Sequence, residues 1–309
     1  MPVQLAIATS AAYPAVQPDD AHLVASLATL DIQSQVCVWN DPGVDWGRHD
    51  AVLVRTIWDY FEHYDAFLAW LDRLERAGVP VINPVALMRW NSDKRYLLQL
   101  ESLGVPIIPT RLASHGALRD ALAPFHGQDV VAKPCISGGA WRTVRGTAGD
   151  AAFDRAVSEL PPGEYLLQPF VQAIVDDGEW SLLFFGGEFS HAVVKRPAAG
   201  DYRVQSQYGG RTDAMEPDAA MLAAARHVLA ACAELGLGDI TYARVDGVVV
   251  DGRFLLMELE LIEPFLFLAG RPDAAEQHAR AIAAQLKALR AETALNSGMQ
   301  ATQDFAGTL

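Results

Sequence analysis

The sequence is 309 residues long, 51% hydrophobic and 20% charged, with a formal net charge of −14 from 24 basic and 38 acidic residues. A chain of this size and composition can bury a large core, and we expect two or three lobes. The acidic balance and the lack of any Lys/Arg-rich run argue against nucleic acid as a partner. No apolar run approaches membrane-spanning length, so we expect no membrane association.

The three cysteines, Cys37, Cys135 and Cys232, lie far apart and form no CxxC pair. This spacing argues against a zinc ribbon or a disulfide framework and is typical of a reducing cytoplasm. The first residues lack the basic segment of a signal peptide and read as a strand, so we expect a cytoplasmic location.

Strand and helix patterns alternate over the first ninety residues. Helices are predicted from Asp19 to Leu30 and over Tyr64–Ala77. Strands are predicted at Val3–Thr9, Ser34–Trp39, Ala51–Arg55 and Val79–Ile82. Such alternation predicts a parallel sheet covered by helices.

The rest of the chain favours longer helices and antiparallel strands. Helices are predicted over Asn91–Leu103, near His115–Leu122, over Asp218–Leu235 and over Asp273–Ala294, with a loose tail from Asn296. Strands are predicted at Asp129–Lys133, Tyr165–Val171, Glu179–Phe185 and Glu188–Lys195, the last two joined at Gly186-Gly187.

Three acidic residues fall on two apolar, strand-like runs near the end of the chain. Asp246 and Glu258 lie in runs joined by a turn at 250–253, and Glu260 follows Glu258 at strand spacing. Side chains two residues apart in a strand point to one face, so we expect three carboxylates to converge. Magnesium, a hard ion bound by carboxylates and phosphates, would offset their repulsion. The alternative is a hairpin with acidic edges.

Two lysines and a small-residue turn are candidates for phosphate binding. Lys133 ends an apolar strand before Ser137-Gly138-Gly139, where small residues let backbone N–H groups approach phosphate oxygens. Lys94, in the first turns of the predicted Asn91–Leu103 helix, is a candidate second contact. The spacing of a Walker A loop is absent. The alternative is that both lysines are solvated.

The segment Gln168-Pro169-Phe170-Val171 is a candidate adenine site. Pro169 breaks the strand ladder and leaves nearby backbone groups free for a ligand. Adenine can be bound by one N–H and one C=O in an apolar slot, and Glu179 could accept from ribose hydroxyls. An ordinary edge strand is the alternative.

Two arginines lie on the polar, glycine-containing segment Pro197–Arg211, which is predicted to be a loop. Arg203 and Arg211 flank Gly209-Gly210. Arginines on such a loop suit oxyanions that form during a reaction, although loop arginines are often only solvated.

The third predicted strand ends at Val54–Tyr60. Ligands of open α/β sheets bind beyond the carboxyl ends of strands, so Arg55 is a candidate clamp for a substrate carboxylate. Trp58 and Tyr60 are candidate pocket walls. The alternative is that these aromatic residues pack between lobes.

These features follow one order: two lysines, a small-residue turn, a Gln-Pro hinge, an acid, an Arg/Gly loop, an Asp and Glu-x-Glu. Over roughly residues 90–295 this order resembles the ATP-grasp superfamily. The N-terminal segment resembles the small α/β domain of its glutathione-synthetase-like members. Val54–Tyr60, Gly200–Arg211 and Glu258–Pro264 also resemble the O-ureido-serine cyclo-ligases of cycloserine biosynthesis and their relatives.

The resemblance implies an α/β (grasp) fold that begins with a small parallel domain over residues 1–90. Two grasp lobes would follow over 91–165 and 166–296, with a tail at 297–309. It implies ATP and Mg²⁺ as cofactors. Phosphates would bind at Lys94, Lys133 and Ser137-Gly138-Gly139, adenosine at Gln168, Phe170, Val171 and Glu179, and magnesium at Asp246, Glu258 and Glu260. Glu260 stands where the family has Asn, so the metal would bind more tightly or the carboxylate would need a cation nearby.

The implied reaction is ATP-dependent activation of the carboxylate of a small amino-acid-like substrate. An amine, or a nitrogen of the same molecule, would then attack the acyl phosphate, while Arg203 and Arg211 stabilise oxyanions. Arg55, Trp58 and Tyr60 would contact the substrate. The alternatives are a dipeptide-forming amino acid ligase and a non-catalytic ATP-binding sensor. A homodimer is the expected oligomer.

Overall fold

The N-terminal lobe is a parallel sheet covered by helices, in a computed structural model that describes residues 2–269 and 271–306. Its elements are β1 (Val3–Thr9), α1 (Ala21–Ala28), β2 (Ile32–Val38), β3 (Ala51–Thr56), α2 (Tyr64–Arg76), β4 (Val81–Ile82) and α3 (Val85–Asn91). All strand pairs are parallel, in the order β2-β1-β3-β4. The predicted parallel sheet is confirmed.

The central lobe is a four-stranded antiparallel sheet in which a proline ends each of two strands. Its elements are α4 (Tyr96–Ser102), β5 (Arg111–Ser114), α5 (Leu118–Leu122), β6 (Asp129–Pro134), β7 (Val144–Thr147), α6 (Ala151–Ser158) and β8 (Glu164–Pro169). The strand order is β5-β8-β6-β7.

The C-terminal lobe holds a five-stranded antiparallel sheet. Its elements are α7 (Ala173–Asp176), β9 (Glu179–Phe185), β10 (Glu188–Arg196), β11 (Arg211–Ala214), α8 (Ala219–Glu234), β12 (Tyr242–Val250), β13 (Arg253–Glu260) and α9 (Pro272–Ala306). The order is β11-β10-β9-β12-β13. Gly186 and Gly187 both have positive φ, which the tight β9–β10 hairpin requires.

The N-terminal and C-terminal lobes share one apolar core. Side chains of β1 and β3 pack with Phe185, Tyr242 and the first half of α9. Asn83, which is fully buried with φ of 59°, donates to the carbonyls of Tyr242 and Leu261 at 2.8 Å. These contacts fix the end of β13 against the end of the parallel sheet, and the candidate site lies at this junction.

Two predicted elements differ from the structure. The predicted Asn91–Leu103 helix begins only at Tyr96, because Lys94 donates its N–H to the Cys135 carbonyl and residues 92–95 form a turn after α3. Helix α9 continues to Ala306 instead of giving way to a tail at Asn296. Residues 295–306 contain no proline and include good helix formers, which explains the continuation. Residues 307–309 of the predicted tail lie outside the described residues. No helix in the described part of the chain is both long and apolar enough to cross a bilayer.

Candidate active site

The β12–β13 hairpin brings the predicted carboxylates to one face of the sheet. Asp246 is the cross-strand partner of Glu258, and Arg244 is the partner of Glu260. A bulge follows Asp246, where a Cβ on Gly247 would lie 2.5 Å from the Leu255 carbonyl oxygen. Register and spacing therefore produce the convergence that the sequence predicted.

Cations of the chain itself hold these carboxylates. Arg244 donates to Asp246 at 2.9 Å and also to Glu260, and Lys195 contacts Asp246 at 3.1 Å. Arg244 is thus the nearby cation that a Glu at position 260 was expected to need. Within the described residues, no three His, Cys, Asp or Glu side chains form a preassembled metal site.

The remaining charges pair in the same way. Lys94 Nζ lies 2.9 Å from Glu258 Oε1 and donates to the Ser137 carbonyl at 2.5 Å. Glu179, which was predicted to face ribose, is bound by Lys195. These side chains and their charged neighbours form one group, which we call the charged cluster. Its members are Lys94, Lys133, Glu179, Lys195, Arg244, Asp246, Glu258, Glu260 and Glu263.

The carboxylates of the charged cluster differ in protonation. Burial would raise the pKa of Asp246, but Arg244 and Lys195 outweigh burial and hold it at about 2. Burial, together with Glu258 and Asp246, raises the pKa of Glu260 to about 7 despite Arg244. Burial and Glu260 raise the pKa of Glu263 to about 8. The hairpin end thus holds more negative charge than the chain neutralises, as a cation-binding region would.

Lys133 is the cation of the charged cluster that is left over. Burial, with a smaller contribution from neighbouring Lys94, lowers its pKa to about 8, although Glu258 opposes the shift. Among the described residues, no carboxylate lies within salt-bridge distance of Lys133. A poorly solvated, unpaired ammonium is suited to an incoming anion such as a phosphate.

The small-residue turn lies between the lysines and the N-terminal lobe. Ser137 is buried, and its Oγ donates to the Pro134 carbonyl. A Cβ on Gly138 would lie 2.5 Å from the Phe61 ring, and Gly139 has a φ of 56°. Glycine is therefore required at both positions for this path over the lysines.

The Gln168–Val171 hinge leaves a backbone donor available. Phe170 N–H donates to the Asp129 carbonyl, and Gln168 Nε2 donates to Thr110 Oγ1. In the part of the chain that the structure describes, the Val171 N–H has no backbone acceptor. The Arg145 guanidinium lies 3.3 Å from the centre of the Phe170 ring, with the Tyr202 ring beside it.

The two loop arginines are held apart from the charged cluster. Arg203 pairs with Asp201 and lies over the Tyr208 ring at 3.7 Å. Arg211 begins edge strand β11, pairs with Asp213 and is 72% exposed. Neither side chain contacts the carboxylates of the charged cluster in this conformation.

The predicted substrate residues divide into two groups. Arg55 is 1% exposed, donates to Asp20 at 3.1 Å and donates to the Pro264 carbonyl at 2.7 Å. Tyr60 is 5% exposed and packs on Phe67. Burial and these hydrogen bonds keep Arg55 from acting as a clamp for a substrate carboxylate in this conformation, and burial favours the packing alternative for Tyr60. Trp58 is half-buried and remains a candidate pocket wall.

Side chains from separate elements hold the backbone of the 263–269 segment, which follows β13. The donors to its carbonyls are Trp58 (to Glu263), Arg55 (to Pro264), Arg244 (to Phe265) and His191 (to Leu266), and Asp19 accepts from the N–H groups of Leu268 and Ala269. Phe267 has a φ of 54°, which an aromatic residue rarely adopts. Alternate residues Glu263, Phe265 and Phe267 are half-buried on one face.

Sequence reasoning missed Lys195, Arg244 and Glu263. Arg244 lies two residues before Asp246 in one strand, so the spacing alone placed both on the same face. Lys195 shares that sheet face only through the β9–β10 register, which no local pattern reveals. Glu263 lies beyond the strand, where alternation gives no guide.

Comparisons with known proteins agree with this geometry. Residues 5–83 match the family model of the N-terminal domain of D-cycloserine synthetase DcsG. The chain is 35% identical to the cycloserine biosynthesis protein DcsG of Streptomyces lavendulae, over 92% of this chain and 99% of that protein. It is 31% identical to the glutathione synthetase of Prochlorococcus marinus (strain MIT 9313), over 76% of this chain and 69% of that protein.

A solved structure extends the similarity to three dimensions. The crystal structure of D-cycloserine synthetase DcsG superposes with a TM-score of 0.82 at 34% identity, covering 92% of this chain and 99% of that one. The chain therefore belongs to the ATP-grasp superfamily, in the DcsG family, and is a ligase that forms C–N bonds with ATP.

Proposed function

We propose that this protein activates the carboxylate of a small amino-acid-like substrate as an acyl phosphate and then forms a C–N bond. The specific reaction we propose is ring closure of O-ureido-serine in cycloserine biosynthesis. The similarity to DcsG along nearly the whole chain supports this assignment. The observation that carries the phosphate chemistry is Lys133, an unpaired, poorly solvated ammonium beside the Lys94–Glu258 pair.

In the first step a carboxylate oxygen of the substrate attacks the γ-phosphorus of ATP. The bond to the β,γ-bridging oxygen breaks and ADP leaves. The Lys133 ammonium offsets the negative charge of the phosphate. Lys94 releases the Glu258 carboxylate and binds a phosphate oxygen instead. The adenine is bound at Gln168, Phe170 and Val171, where the Val171 N–H is available, after Arg145 and Tyr202 turn aside.

The donor set fits magnesium bound together with the nucleotide. Asp246, Glu258 and Glu260 supply only hard oxygen ligands, and burial together with the neighbouring carboxylates Glu258 and Asp246 raises the pKa of Glu260. Glu258 and Glu260 would hold the ion, and Asp246 would retain Arg244 and Lys195. Magnesium bound there would offset the negative charge of the phosphates.

In the second step a nitrogen attacks the acyl carbon, the bond to the phosphate oxygen breaks, and inorganic phosphate leaves with a proton from the nitrogen. Arg203 and Arg211 would stabilise the oxyanions after closure of the 197–210 loop, which also keeps water from the acyl phosphate. Trp58 forms a wall of the pocket, and Arg55 positions the backbone at Pro264. No side-chain nucleophile is required.

The test supplies purified protein with Mg-ATP and, separately, O-ureido-serine, single amino acids and amino-acid pairs, and measures release of ADP and phosphate. Hydroxylamine traps an acyl phosphate as a hydroxamate. We expect ADP release with O-ureido-serine alone and a hydroxamate when hydroxylamine is present. Release only with amino-acid pairs would identify a dipeptide-forming ligase. No amino-acid-dependent release would contradict ligation and favour an ATP-binding sensor. Size-exclusion chromatography of the same protein tests the predicted homodimer.

A further inference from the structure

Glu263 is the one carboxylate of the charged cluster that receives no cation from the described part of the chain. Lys94 pairs with Glu258, and Arg244 and Lys195 pair with the other acids of the cluster. No Lys, Arg or His of the described residues lies within salt-bridge distance of Glu263. A half-buried carboxylate beside other acids is costly unless a cation joins it.

Aromatic side chains lie beside the backbone of Glu263. Trp58 donates to the Glu263 carbonyl at 3.0 Å, and its ring stacks on Phe265 at 6.3 Å with an interplanar angle of 29°. Tyr13 packs edge-on against Trp58 at 5.1 Å, and Phe267 packs against Phe265 at 4.8 Å. Aromatic faces beside a carboxylate attract an organic ammonium group through cation–π and ionic contacts.

The 263–269 segment holds these groups in place. Its carbonyls are bound by side chains of other elements, so Glu263, Phe265 and Phe267 share one face without a regular strand pairing them. Such fixed backbone is what a substrate pocket needs to present side chains at defined positions.

Both unpaired groups of the charged cluster lie near one ion pair. Glu258 and Lys94 influence the pKa of Lys133 and also that of Glu263. The Lys94–Glu258 pair therefore has an unpaired lysine and an unpaired carboxyl group in its surroundings. A zwitterionic substrate carries the complementary charges: a carboxylate that suits the lysine side, where it would be phosphorylated, and an ammonium that suits Glu263.

We propose that Glu263, flanked by Trp58 and Phe265, binds the ammonium group of the amino-acid-like substrate while the substrate carboxylate faces the phosphates. This inference rests on the proposed function and names the feature of the substrate that the pocket selects. Glu263 therefore determines specificity for a free amine next to the reacting carboxylate.

The test compares wild type with Glu263→Gln and Glu263→Asp, using O-ureido-serine and its N-acetyl derivative as probes. Glu62→Gln, on an exposed turn, is the control with the same change in net charge. Loss of a hydrogen bond to a charged group predicts a KM for O-ureido-serine raised roughly 10- to 100-fold in Glu263→Gln, with kcat changed less than about threefold. Glu263→Asp recovers part of this loss, and Phe265→Leu raises KM by about two- to fivefold.

Binding measurements separate this inference from the proposed reaction. Calorimetric titration of each probe into protein loaded with Mg-ADP requires no turnover. Wild type is expected to bind the free-amine probe at least about tenfold more tightly than the N-acetyl probe, and Glu263→Gln is expected to lose that preference. If wild type and Glu263→Gln preferred the free-amine probe over the N-acetyl probe to the same degree, the proposed subsite would be overturned. It would also be overturned if wild type did not bind the free-amine probe. Binding with this preference but without ADP release would contradict only the proposed reaction.

Discussion

Arg244 and Arg55 hold two neighbouring regions of the site in different ways. Arg244 bridges two carboxylates, Asp246 and Glu260, and also donates to the Phe265 carbonyl. Arg55 holds one carboxylate, that of Asp20, and the Pro264 carbonyl. Ion pairs between side chains can exchange partners when a charged ligand arrives, whereas a guanidinium that binds the main chain fixes its path. The carboxylates of the proposed nucleotide side can therefore rearrange, whereas the main chain of the proposed substrate side, held by both arginines, stays in place.

The largest expected effect is on protein stability, and it comes from the Arg55–Asp20 pair beside the 263–269 segment. Arg55→Met leaves the buried Asp20 without its cation, so we expect the free energy of unfolding to fall by about 3–5 kcal/mol in urea denaturation. Nucleotide affinity of the folded variant should stay near that of wild type. An unchanged denaturation midpoint would show that Arg55 does not hold this region.

On the rearranging side, Glu258→Gln should abolish most turnover. It removes the partner of Lys94 and a proposed magnesium ligand, so we expect kcat to fall roughly 10²–10³-fold. The melting temperature should fall less than in Arg55→Met, because Glu258 is partly exposed and the glutamine amide oxygen can still accept a hydrogen bond from Lys94. Wild-type rates in this variant would refute the metal and phosphate assignment.

Protonation provides a smaller, pH-dependent effect. The pKa of Glu263 is raised to about 8, so its carboxyl binds a proton more tightly in the folded protein than in the unfolded one. Its contribution to stability is complete below the usual Glu pKa and is lost as pH rises toward 8. Without nucleotide and in chelator, Glu263→Gln should gain melting temperature relative to wild type between about pH 5 and pH 8.

The comparison with a variant is needed because buried His191 and His278, whose pKa values burial lowers, titrate in the same range with opposite slope. They are present in both proteins, so their contributions cancel. If the difference in melting temperature between Glu263→Gln and wild type did not change with pH, the raised pKa of Glu263 would be contradicted.

The smallest stability effect is expected at Arg211. Its pair with Asp213 is exposed, so Arg211→Ala should change the free energy of unfolding by less than about 1 kcal/mol. If the loop arginines act on the reaction, kcat falls in this variant while stability does not. Unchanged kcat in both Arg211→Ala and Arg203→Ala would remove the loop from the mechanism.

The sequence predicted the elements that local periodicity determines. The parallel sheet, the β9–β10 hairpin and the converging Asp246 and Glu258 all follow from strand spacing and turn residues. The helix predicted over Asn91–Leu103 was wrong only in its start, because a contact from Lys94 to distant Cys135 holds residues 92–95 in a turn. Periodicity contains no information about such long-range hydrogen bonds.

The partners of charged residues were harder to predict than their positions. Arg55 ends a strand where ligands often bind, but Asp20, thirty-five positions earlier, accepts its hydrogen bond inside the core. Lys195 of β10 reaches Asp246 of β12 across the intervening strand β9. Both outcomes depend on how sheets and lobes pack, which a linear pattern does not specify.

The way the 263–269 segment is anchored has a consequence for how this fold diversifies. Arginine, tryptophan, histidine and aspartate side chains from elsewhere bind its main chain, so the path is largely independent of which side chains the segment itself carries. Replacements at positions 263, 265 and 267 would alter the chemistry lining the pocket while leaving the backbone unchanged. Relatives with other substrates could arise by a few such substitutions, without new loops and without disturbing the machinery that handles ATP.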